Sequence, residues 1–403
     1  MSGAIAMVYP HSNIDTVPCL VGAVDALARA GFSVDLLVKT SAEAAPVFAH
    51  PRVRIVSIGA EASDAPPAAL RGRLRFLPPR ARASLARCYS RMRPRSHQVK
   101  IDTTYDYWIG VDADGLVLAN EMARGAPVVY FSLELLLSED LRTTAERQLK
   151  ARERTLSREA AFIVIQDAQR GSLLARDNQI PIERMTFVPN SPPGPARRSP
   201  NRYWHDRFGL PPYARVVLHA GSLGAWTGIE ELIASVPTWP EPWMLVVHTR
   251  YDAQSSPYVE RLQKSAQAGR VHFSLQPVAR QEYDALIDGA DVGVAFYVPS
   301  AESAFTQRNI QTIGLSSGKL AYFLRAGLPV IVNSATSVAA QIRAAACGIA
   351  VEDAADVPEA LDRIGAEYDC YSRNSCTFFD RELDSERAFE DVIARLRELR
   401  VAA

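Results

Sequence analysis

A turn of small residues precedes a lysine in the second half of the chain, as Ser316-Ser317-Gly318-Lys319. The apolar spacing that follows predicts a helix that begins at Ser316 or Ser317. Free backbone N–H groups at such a helix start, together with the helix dipole, favour an anion. A lysine in the first turn is disfavoured unless an anion is present. The pattern therefore indicates an anion site, and a serine-capped helix with a solvated lysine stays open as the alternative.

Two common phosphate-binding motifs do not explain this segment. A P-loop needs four residues between its glycines and Ser or Thr after its lysine. Here three residues separate Gly314 from Gly318, and Leu320 takes the place after the lysine. No G-x-G-x-x-G fingerprint follows the first predicted strand. Both motifs are therefore excluded.

A second glycine-rich turn, at residues 219–228, joins a predicted strand to a predicted helix. Its glycines, Gly221, Gly224 and Gly228, allow positive φ or a close approach of another backbone. A ligand that approaches the backbone would use such a turn. A tight structural loop would have the same composition, so both interpretations stay open at this point.

Polar residues follow the predicted strands of the first half of the chain. The carboxyl ends of parallel strands meet at one edge of a sheet, so these residues are expected to line a cleft. The candidates for binding an acceptor are His11, Ser12, Asn13, Asp114 and Glu134. The candidates for a general base are His11, Asp112 and Glu134.

The sequence Asp112-Ala113-Asp114 has the D-x-D form that holds a divalent ion in a different α/β fold. That fold has one nucleotide domain near its start, whereas this chain has two similar halves. We therefore expect no metal and no cofactor.

Short apolar runs alternate with amphipathic helices through the chain. Runs without a polar face are typical of parallel strands that are covered by helices on both sides. The predicted fold class is α/β, with two Rossmann-like, doubly wound parallel-sheet domains that face a cleft. The predicted strands are 4–10, 32–38, 53–59, 106–112, 126–135, 161–167, 216–221, 243–249, 271–275, 291–298, 329–332 and 348–351.

A proline-rich segment at 191–202 interrupts this alternation and is interpreted as a linker. The predicted domains are residues 1–192, which would bind an acceptor, and residues 193–380, which would bind a donor. Residues 381–403 are predicted to form a final helix that packs back on the first domain.

The composition excludes several classes of protein. The 403 residues carry 45 Lys+Arg and 45 Asp+Glu, which excludes a globally basic nucleic-acid binder. The five cysteines are odd in number and lack a C-x-x-C, as is typical of reduced thiols in the cytosol. No apolar run reaches about 18 residues, and the first residues do not resemble a signal peptide. A cytoplasmic protein is expected.

One segment departs from the overall charge balance. Residues 71–100 contain nine Arg and one Lys, and no acid lies between Asp64 and Asp102. Apolar residues are interleaved, which favours contact with an anionic membrane surface. A surface loop and recognition of an anionic acceptor stay open as alternatives.

Residues 216–333 resemble the donor half of GT-B glycosyltransferases, of the large retaining family that uses nucleotide-sugar donors. The turn at 219–228 matches the glycine-rich turn that lies near the donor phosphates in that family. The predicted helix that contains Lys319 matches a second family motif. That motif begins with Gly, Ser or Asn followed by Lys, and ends with A-x-G-x-P-V. The matching residues there are Gly318, Lys319, Ala326, Gly327, Pro329 and Val330.

Two departures from the family pattern concern charge. An Arg and a Lys of the first turn fall at Ser222 and Thr227, and a pair of glutamates falls at Gly314 and Tyr322. The resemblance then implies that phosphate charge is neutralised mainly by Lys319 and helix N-termini, with help from other cations.

The resemblance implies transfer of a sugar, with retention, from a nucleotide-diphosphate sugar to the hydroxyl of a glycan or lipid-linked acceptor, in bacterial surface glycan or glycolipid synthesis. Glu134 falls roughly where retaining members carry a histidine that meets the sugar, and Lys319 would act on the leaving phosphate. A nucleotide-sugar 2-epimerase and an inactive nucleotide-sugar binder are the alternatives. The implied donor-binding residues are Gly221, Ser222, Leu223, Trp226, Thr227, Arg250, Gln276, Pro277, Val278, Tyr297, Ser316, Ser317, Gly318, Lys319 and Tyr322.

Overall fold

The structure is a computed structural model. It describes residues 3–12, 14, 17–40, 48, 50–60, 103–250, 253–254 and 256–401. Asn13 and the basic segment 71–100 lie outside the described residues, so the interpretations given to them stay predictions.

The first parallel sheet has the order β3-β2-β1-β4-β5-β6-β7 within the described residues. Its strands are β1 Ala4–Tyr9, β2 Ser33–Thr40, β3 Val53–Ala60, β4 Tyr107–Val111, β5 Val128–Phe131, β6 Ile163–Ile165 and β7 Met185–Phe187. The helices between them are Pro18–Arg29, Asp112–Met122, Thr144–Glu159 and Ala168–Asn178.

The second parallel sheet has the order β10-β9-β8-β11-β12-β13 over the part of the chain that is described. Its strands are β8 Arg215–Ala220, β9 Trp243–His248, β10 Val271–Ser274, β11 Val292–Ala295, β12 Val330–Asn333 and β13 Gly348–Val351. The accompanying helices are Tyr203–Phe208, Ile229–Ser235, Pro257–Ser265, Arg280–Asp288, Arg308–Gln311, Gly318–Arg325, Ala339–Ala345, Val357–Ala366 and Tyr368–Phe378.

Both sheets are buried on both faces. In β1, Ile5 and Met7 pack into one core, whereas Ala6 and Val8 pack into the core on the opposite face. Successive side chains of a strand point to opposite faces, so a strand that is covered on both sides needs an unbroken apolar run. The predicted α/β class with two doubly wound sheets is confirmed.

The strand order places one crevice at each sheet. The order reverses between β1 and β4 in the first sheet, and between β8 and β11 in the second. Ligands of open α/β sheets bind outside the carboxyl ends of the strands at such reversals. Residues that follow β1, β4, β8 and β11 are therefore in the position to form a site.

Two details of the predicted strands were wrong. The predicted run 126–135 ends as a strand at Phe131, because the next residues turn away and donate backbone N–H groups to Asp112. The predicted run 291–298 likewise ends as a strand at Ala295, because the backbone of Tyr297 is hydrogen-bonded to the side chain of Asn333.

The last helix, Ser385–Val401, packs against the first sheet. Phe389, Val392 and Leu396 are buried in the same core as Ile5, and the ring centroids of Phe389 and Phe131 lie 6.2 Å apart. The predicted domain boundaries at residues 192 and 380 stay predictions. Among the described helices, none combines the length and hydropathy that crossing a bilayer requires.

Candidate active site

Lys319 lies buried at the start of the helix Gly318–Arg325, with 8% of its surface exposed. The hydroxyl of Ser317 caps this helix by accepting a hydrogen bond from the N–H of Leu320, at 3.1 Å. A helix that begins after Ser317 was predicted and is confirmed. The Nζ of Lys319 has no hydrogen-bond partner among the residues described. A buried ammonium without an anion is unfavourable, so the position suits a negatively charged ligand.

Gly221 lies opposite Lys319, directly after β8. It has a φ of +140°, and a Cβ there would lie 3.4 Å from the Cε of Lys319. The neighbouring His219 is fully buried, and its Nε2 lies 3.4 Å from the carbonyl oxygen of Ser222. Burial, and then the charge of Lys319, hold the pKa of His219 well below its usual range. The imidazole is therefore neutral, and Lys319 is the residue of this turn that can carry a positive charge.

The environment of Lys319 also lowers its own pKa. Burial is the main cause and the nearby positive charge of Arg250 the second, and together they bring the pKa to about 7. The Nζ lies 5.2 Å from the centroid of the Tyr297 ring. An anion bound beside Lys319 would raise this pKa again and so favour the charged ammonium form.

Tyr297 follows β11 and forms a wall of the same crevice. The amide of Asn333 fixes its backbone, accepting from the N–H at 2.8 Å and donating to the carbonyl at 2.7 Å. Its hydroxyl is hydrogen-bonded to the hydroxyl of Ser317. The ring of Trp226 stacks on Tyr297, with centroids 6.4 Å apart. A rigid aromatic surface therefore adjoins the lysine.

Arg250 follows β9 and packs on two tyrosines. Its guanidinium carbon lies 5.0 Å from the ring centroid of Tyr283 and 5.7 Å from that of Tyr322. Its Nε donates to the hydroxyl of Tyr283 at 3.2 Å. Arg250, Tyr283 and Tyr322 therefore form a cation–aromatic cluster in this crevice.

The remaining predicted donor residues lie around this crevice in different settings. Ser222, Leu223 and Ser316 are half-buried, whereas Gln276 and Pro277 are exposed after β10 and Val278 packs against the core. Thr227 is buried, and its hydroxyl donates to the carbonyl of Gly224 within its own turn, at 2.7 Å.

His11 and Asp114 form a pair in the first domain. The Nε2 of His11 lies 3.2 Å from an oxygen of Asp114, and both side chains are accessible to solvent. The hydrogen bond that His11 donates to the carboxylate of Asp114 is the main cause that raises the pKa of His11. The pair joins the end of β1 to the helix that follows β4. Ser12, the third described candidate of this loop, is half-buried.

Asp112 supports the turn that carries Glu134. It has a φ of +56° at the end of β4, and its Oδ1 accepts from the N–H groups of Leu133 and Glu134, each at 2.8 Å. Removal of its carboxylate from water, and then the charge of Glu134, raise the pKa of Asp112 to about 7. In this geometry Asp112 contacts the backbone of the turn.

Glu134 is exposed and reaches the second domain. Its Oε2 accepts a hydrogen bond from the side-chain amide of Asn309. Asn309 was not predicted, because an asparagine on a short helix carries no recognisable signal. Arg170 was not predicted either, although it is fully buried and donates to the carbonyl of Leu133 at 2.8 Å.

The turn before Lys319 lies against the first domain. Asn190 accepts from the N–H of Cys19 at 3.3 Å and donates to the carbonyl of Ser316 at 3.0 Å. Asp167 accepts from the N–H of Leu315 at 3.2 Å. The predicted anion site therefore faces the junction of the two domains.

The D-x-D motif has other partners in this structure. Asp112 binds backbone amides and Asp114 pairs with His11. Over the described ranges, no three or more His, Cys, Asp or Glu side chains are grouped so that they could hold a metal ion.

Two family models match parts of the chain. Residues 17–191 match the glycosyl transferase 4-like domain, and residues 306–386 match the C-terminal domain of the glucosyltransferase 3-like family. A comparison with curated proteins gives no match.

Solved structures with the same fold cover almost the whole chain. Sucrose-phosphate synthase from Thermosynechococcus elongatus has a TM-score of 0.67 and 18% identity, covering 100% of both chains. HepE from Anabaena, solved with UDP-glucose, has a TM-score of 0.66 and 14% identity, covering 98% of this chain and 100% of its own. WaaG, a glycosyltransferase involved in lipopolysaccharide biosynthesis, has a TM-score of 0.59 and 16% identity, covering 96% and 98%. The chain therefore has the GT-B fold, and residues 17–191 match a glycosyl transferase domain, in agreement with the resemblance of residues 216–333.

Proposed function

We propose that the protein transfers a sugar from a nucleotide-diphosphate sugar to an acceptor hydroxyl, and that the diphosphate binds at Lys319. The observation that carries this proposal is the buried Nζ of Lys319, which lacks a partner among the described residues and lies beside Gly221. Both residues adjoin the strand-order reversal of the second sheet, where ligands of such sheets bind.

The chemistry requires stabilisation of negative charge on the leaving diphosphate. Lys319 and Arg250 supply positive charge, and the free N–H groups at the start of the helix Gly318–Arg325 supply hydrogen-bond donors. An aromatic wall at Tyr297 excludes water from one side of the crevice. We therefore assign Lys319 the main role in lowering the barrier to departure of the nucleotide.

We assign Glu134 to the sugar or the acceptor hydroxyl, because it projects from the first domain to the second. In a retaining transfer the donor phosphate takes the acceptor proton, and no protein base is needed. The pair of His11 and Asp114 supports the alternative of inversion, since a carboxylate strengthens an imidazole as a general base. The anomeric coupling constant of the product, measured by NMR, distinguishes the two.

Uridine diphosphate is the first nucleotide to test. HepE was solved in complex with UDP-glucose, and WaaG is involved in lipopolysaccharide biosynthesis. We propose that this chain likewise uses a nucleotide sugar to build a surface glycan or glycolipid, at the cytoplasmic side of a membrane.

We propose that the basic segment 71–100 contacts an anionic membrane surface. Co-sedimentation with vesicles tests this: binding to phosphatidylglycerol vesicles should exceed binding to phosphatidylcholine vesicles and should weaken with salt. Equal binding to both would overturn it.

The central experiment measures turnover of Lys319→Ala. A panel of UDP, GDP, ADP, CMP and dTDP identifies the nucleotide by the shift in melting temperature, and the matching sugar nucleotide serves as substrate. We expect turnover to fall by about 10²-fold, as when an electrostatic group at the leaving charge is lost.

Lys264→Ala is the matched control, because Lys264 is exposed on the helix Pro257–Ser265 and its loss should leave turnover unchanged. Near-normal activity of Lys319→Ala would contradict the proposal. Epimer formation without transfer would assign the protein to the epimerases, and stabilisation by nucleotide without any turnover would assign it to the inactive binders.

A further inference from the structure

Asn309 is a buried residue of the second domain that contacts the first domain through its whole side-chain amide. Only 2% of its surface is exposed. Its Nδ2 donates to the Oε2 of Glu134, and its Oδ1 lies 3.4 Å from the backbone N–H of Leu135. The amide therefore contacts two adjacent residues of the turn after β5, Glu134 and Leu135, although the side chain of Glu134 is exposed.

Arg170 also contacts both domains at this junction. Its Nη2 donates to the carbonyl of Leu133 at 2.8 Å, and its Nε donates to the side chain of Gln166 at 2.7 Å. Its Nη1 reaches the carbonyls of Asn309 at 3.4 Å and Thr312 at 3.3 Å, in the second domain. One buried guanidinium thus joins the turn that carries Glu134 to the short helix that carries Asn309.

We propose that Asn309 is a positioning residue for the transfer reaction, and that it orients the carboxylate of Glu134 when the two domains are closed on each other. This rests on the proposed function, because it takes Glu134 as the group that meets the substrate. An exposed glutamate samples several rotamers, and a hydrogen bond from a buried amide selects one of them. Since donor and acceptor of this bond lie on different domains, Glu134 is set only in the closed arrangement.

The other oxygen of Glu134, Oε1, has no hydrogen-bond partner among the residues that the structure describes and is left to meet a substrate hydroxyl. Misplacement of such a group by about 1 Å can reduce the rate by about 10²-fold. The charge of Glu134 acts on Asp112, Arg170, Cys19 and Tyr297, and Cys19 and Tyr297 are themselves neutral because burial raises the pKa of each.

The test is the pH profile of kcat for Asn309→Asp, with the sugar nucleotide that the panel identifies. The substitution keeps the size of the side chain and an oxygen for the N–H of Leu135. It also places a carboxylate against Glu134, so the two groups share a proton at low pH and repel each other once both are ionised. We expect the ratio of the variant's kcat to that of wild type to fall by about 10²-fold as the pH rises from 5 to 8. The KM for the sugar nucleotide should stay within about threefold of the wild-type value.

A double-mutant cycle gives a second measurement that does not depend on pH. If Asn309 acts through Glu134, adding Asn309→Ala to Glu134→Ala should lower kcat no further. The matched control is Glu139→Gln, which removes the 2.9 Å ion pair with Arg308 across the same junction without touching Glu134. Its kcat should stay within about twofold of wild type.

The outcomes separate this inference from the proposed function. If wild type turns over but Asn309→Asp follows the wild-type pH profile, or if the two alanine substitutions are additive, the positioning role is wrong and the proposed function stands. If wild type turns over no sugar nucleotide of the panel, both are wrong. If Asn309→Asp still shows the melting shift with the nucleotide but loses kcat as described, both are supported.

Discussion

Several ionisable side chains of the cleft have pKa values away from their usual ranges, among them Lys319, Asp112, His219 and His11. Burial lowers the pKa of Lys319 to about 7 and raises that of Asp112 to about 7. Burial also depresses the pKa of His219, whereas Asp114 raises that of His11. Perturbed groups of this kind concentrate at functional sites. The second domain thus presents a cation that lacks an anion, and the first presents carboxylates and an imidazole.

The pair of His11 and Asp114 gives a prediction at this scale. The carboxylate stabilises the protonated imidazole, so the pKa of His11 lies above 6.5. Asp114→Asn removes that charge, and we expect the pKa of His11 to fall towards or below its ordinary value. NMR titration of the His11 ring protons measures it. An unchanged pKa would show that the pair does not form in solution.

Local patterns predicted much of the candidate site at the level of residue type. The helix start at Ser317 and the place of Lys319 in the first turn were predicted from spacing alone, because the start of a helix has a local signature in the sequence. Asp167 caps the helix Ala168–Asn178 in the same way, and its carboxylate accepts from the N–H of Arg170 at 2.9 Å. That Lys319 would be buried without a partner was not predictable, because burial depends on elements far away in the sequence.

At the scale of elements, close packing fixes the positions of the candidate residues. The helix Asp112–Met122 carries both carboxylates of the D-x-D motif and lies directly on β4. A Cβ at Gly110 would lie 2.5 Å from the Cα of Leu116, in the backbone of that helix. Only glycine at this point of the strand lets the helix approach so closely.

Gly110→Ala is therefore expected to push this helix off the sheet. We expect the free energy of unfolding to fall by about 1–3 kcal/mol, as for other overpacked sites, and the contact between Asp114 and His11 to loosen. Urea denaturation followed by circular dichroism measures the stability.

The control for this prediction is Gly365→Ala. Gly365 lies in the helix Val357–Ala366, and a Cβ there would lie 3.3 Å from the end of the Arg215 side chain and 3.7 Å from the ring of Trp243, with no backbone atom in its way. Alanine has a higher helix propensity than glycine, so the free energy of unfolding of Gly365→Ala should be equal to that of wild type or higher by up to about 1 kcal/mol. Equal stability of Gly110→Ala and wild type would contradict the packing seen here.

At the scale of the whole molecule, the candidate site lies where the strand order of each of the two sheets reverses. Apolar runs predicted both sheets, because strands buried on both faces have an unmistakable composition. The contacts across the junction were not predicted: Asn190 with Ser316, Asp167 with Leu315, and Asn309 with Glu134. These contacts depend on how two folded domains meet, and no local pattern encodes that orientation.

The most direct test of the central claim is a crystal structure of the protein with UDP. The diphosphate should lie within hydrogen-bond distance of the Nζ of Lys319 and of the backbone N–H of Gly318, beside Gly221. A diphosphate bound elsewhere, with the Nζ of Lys319 still lacking an anionic partner, would contradict the account.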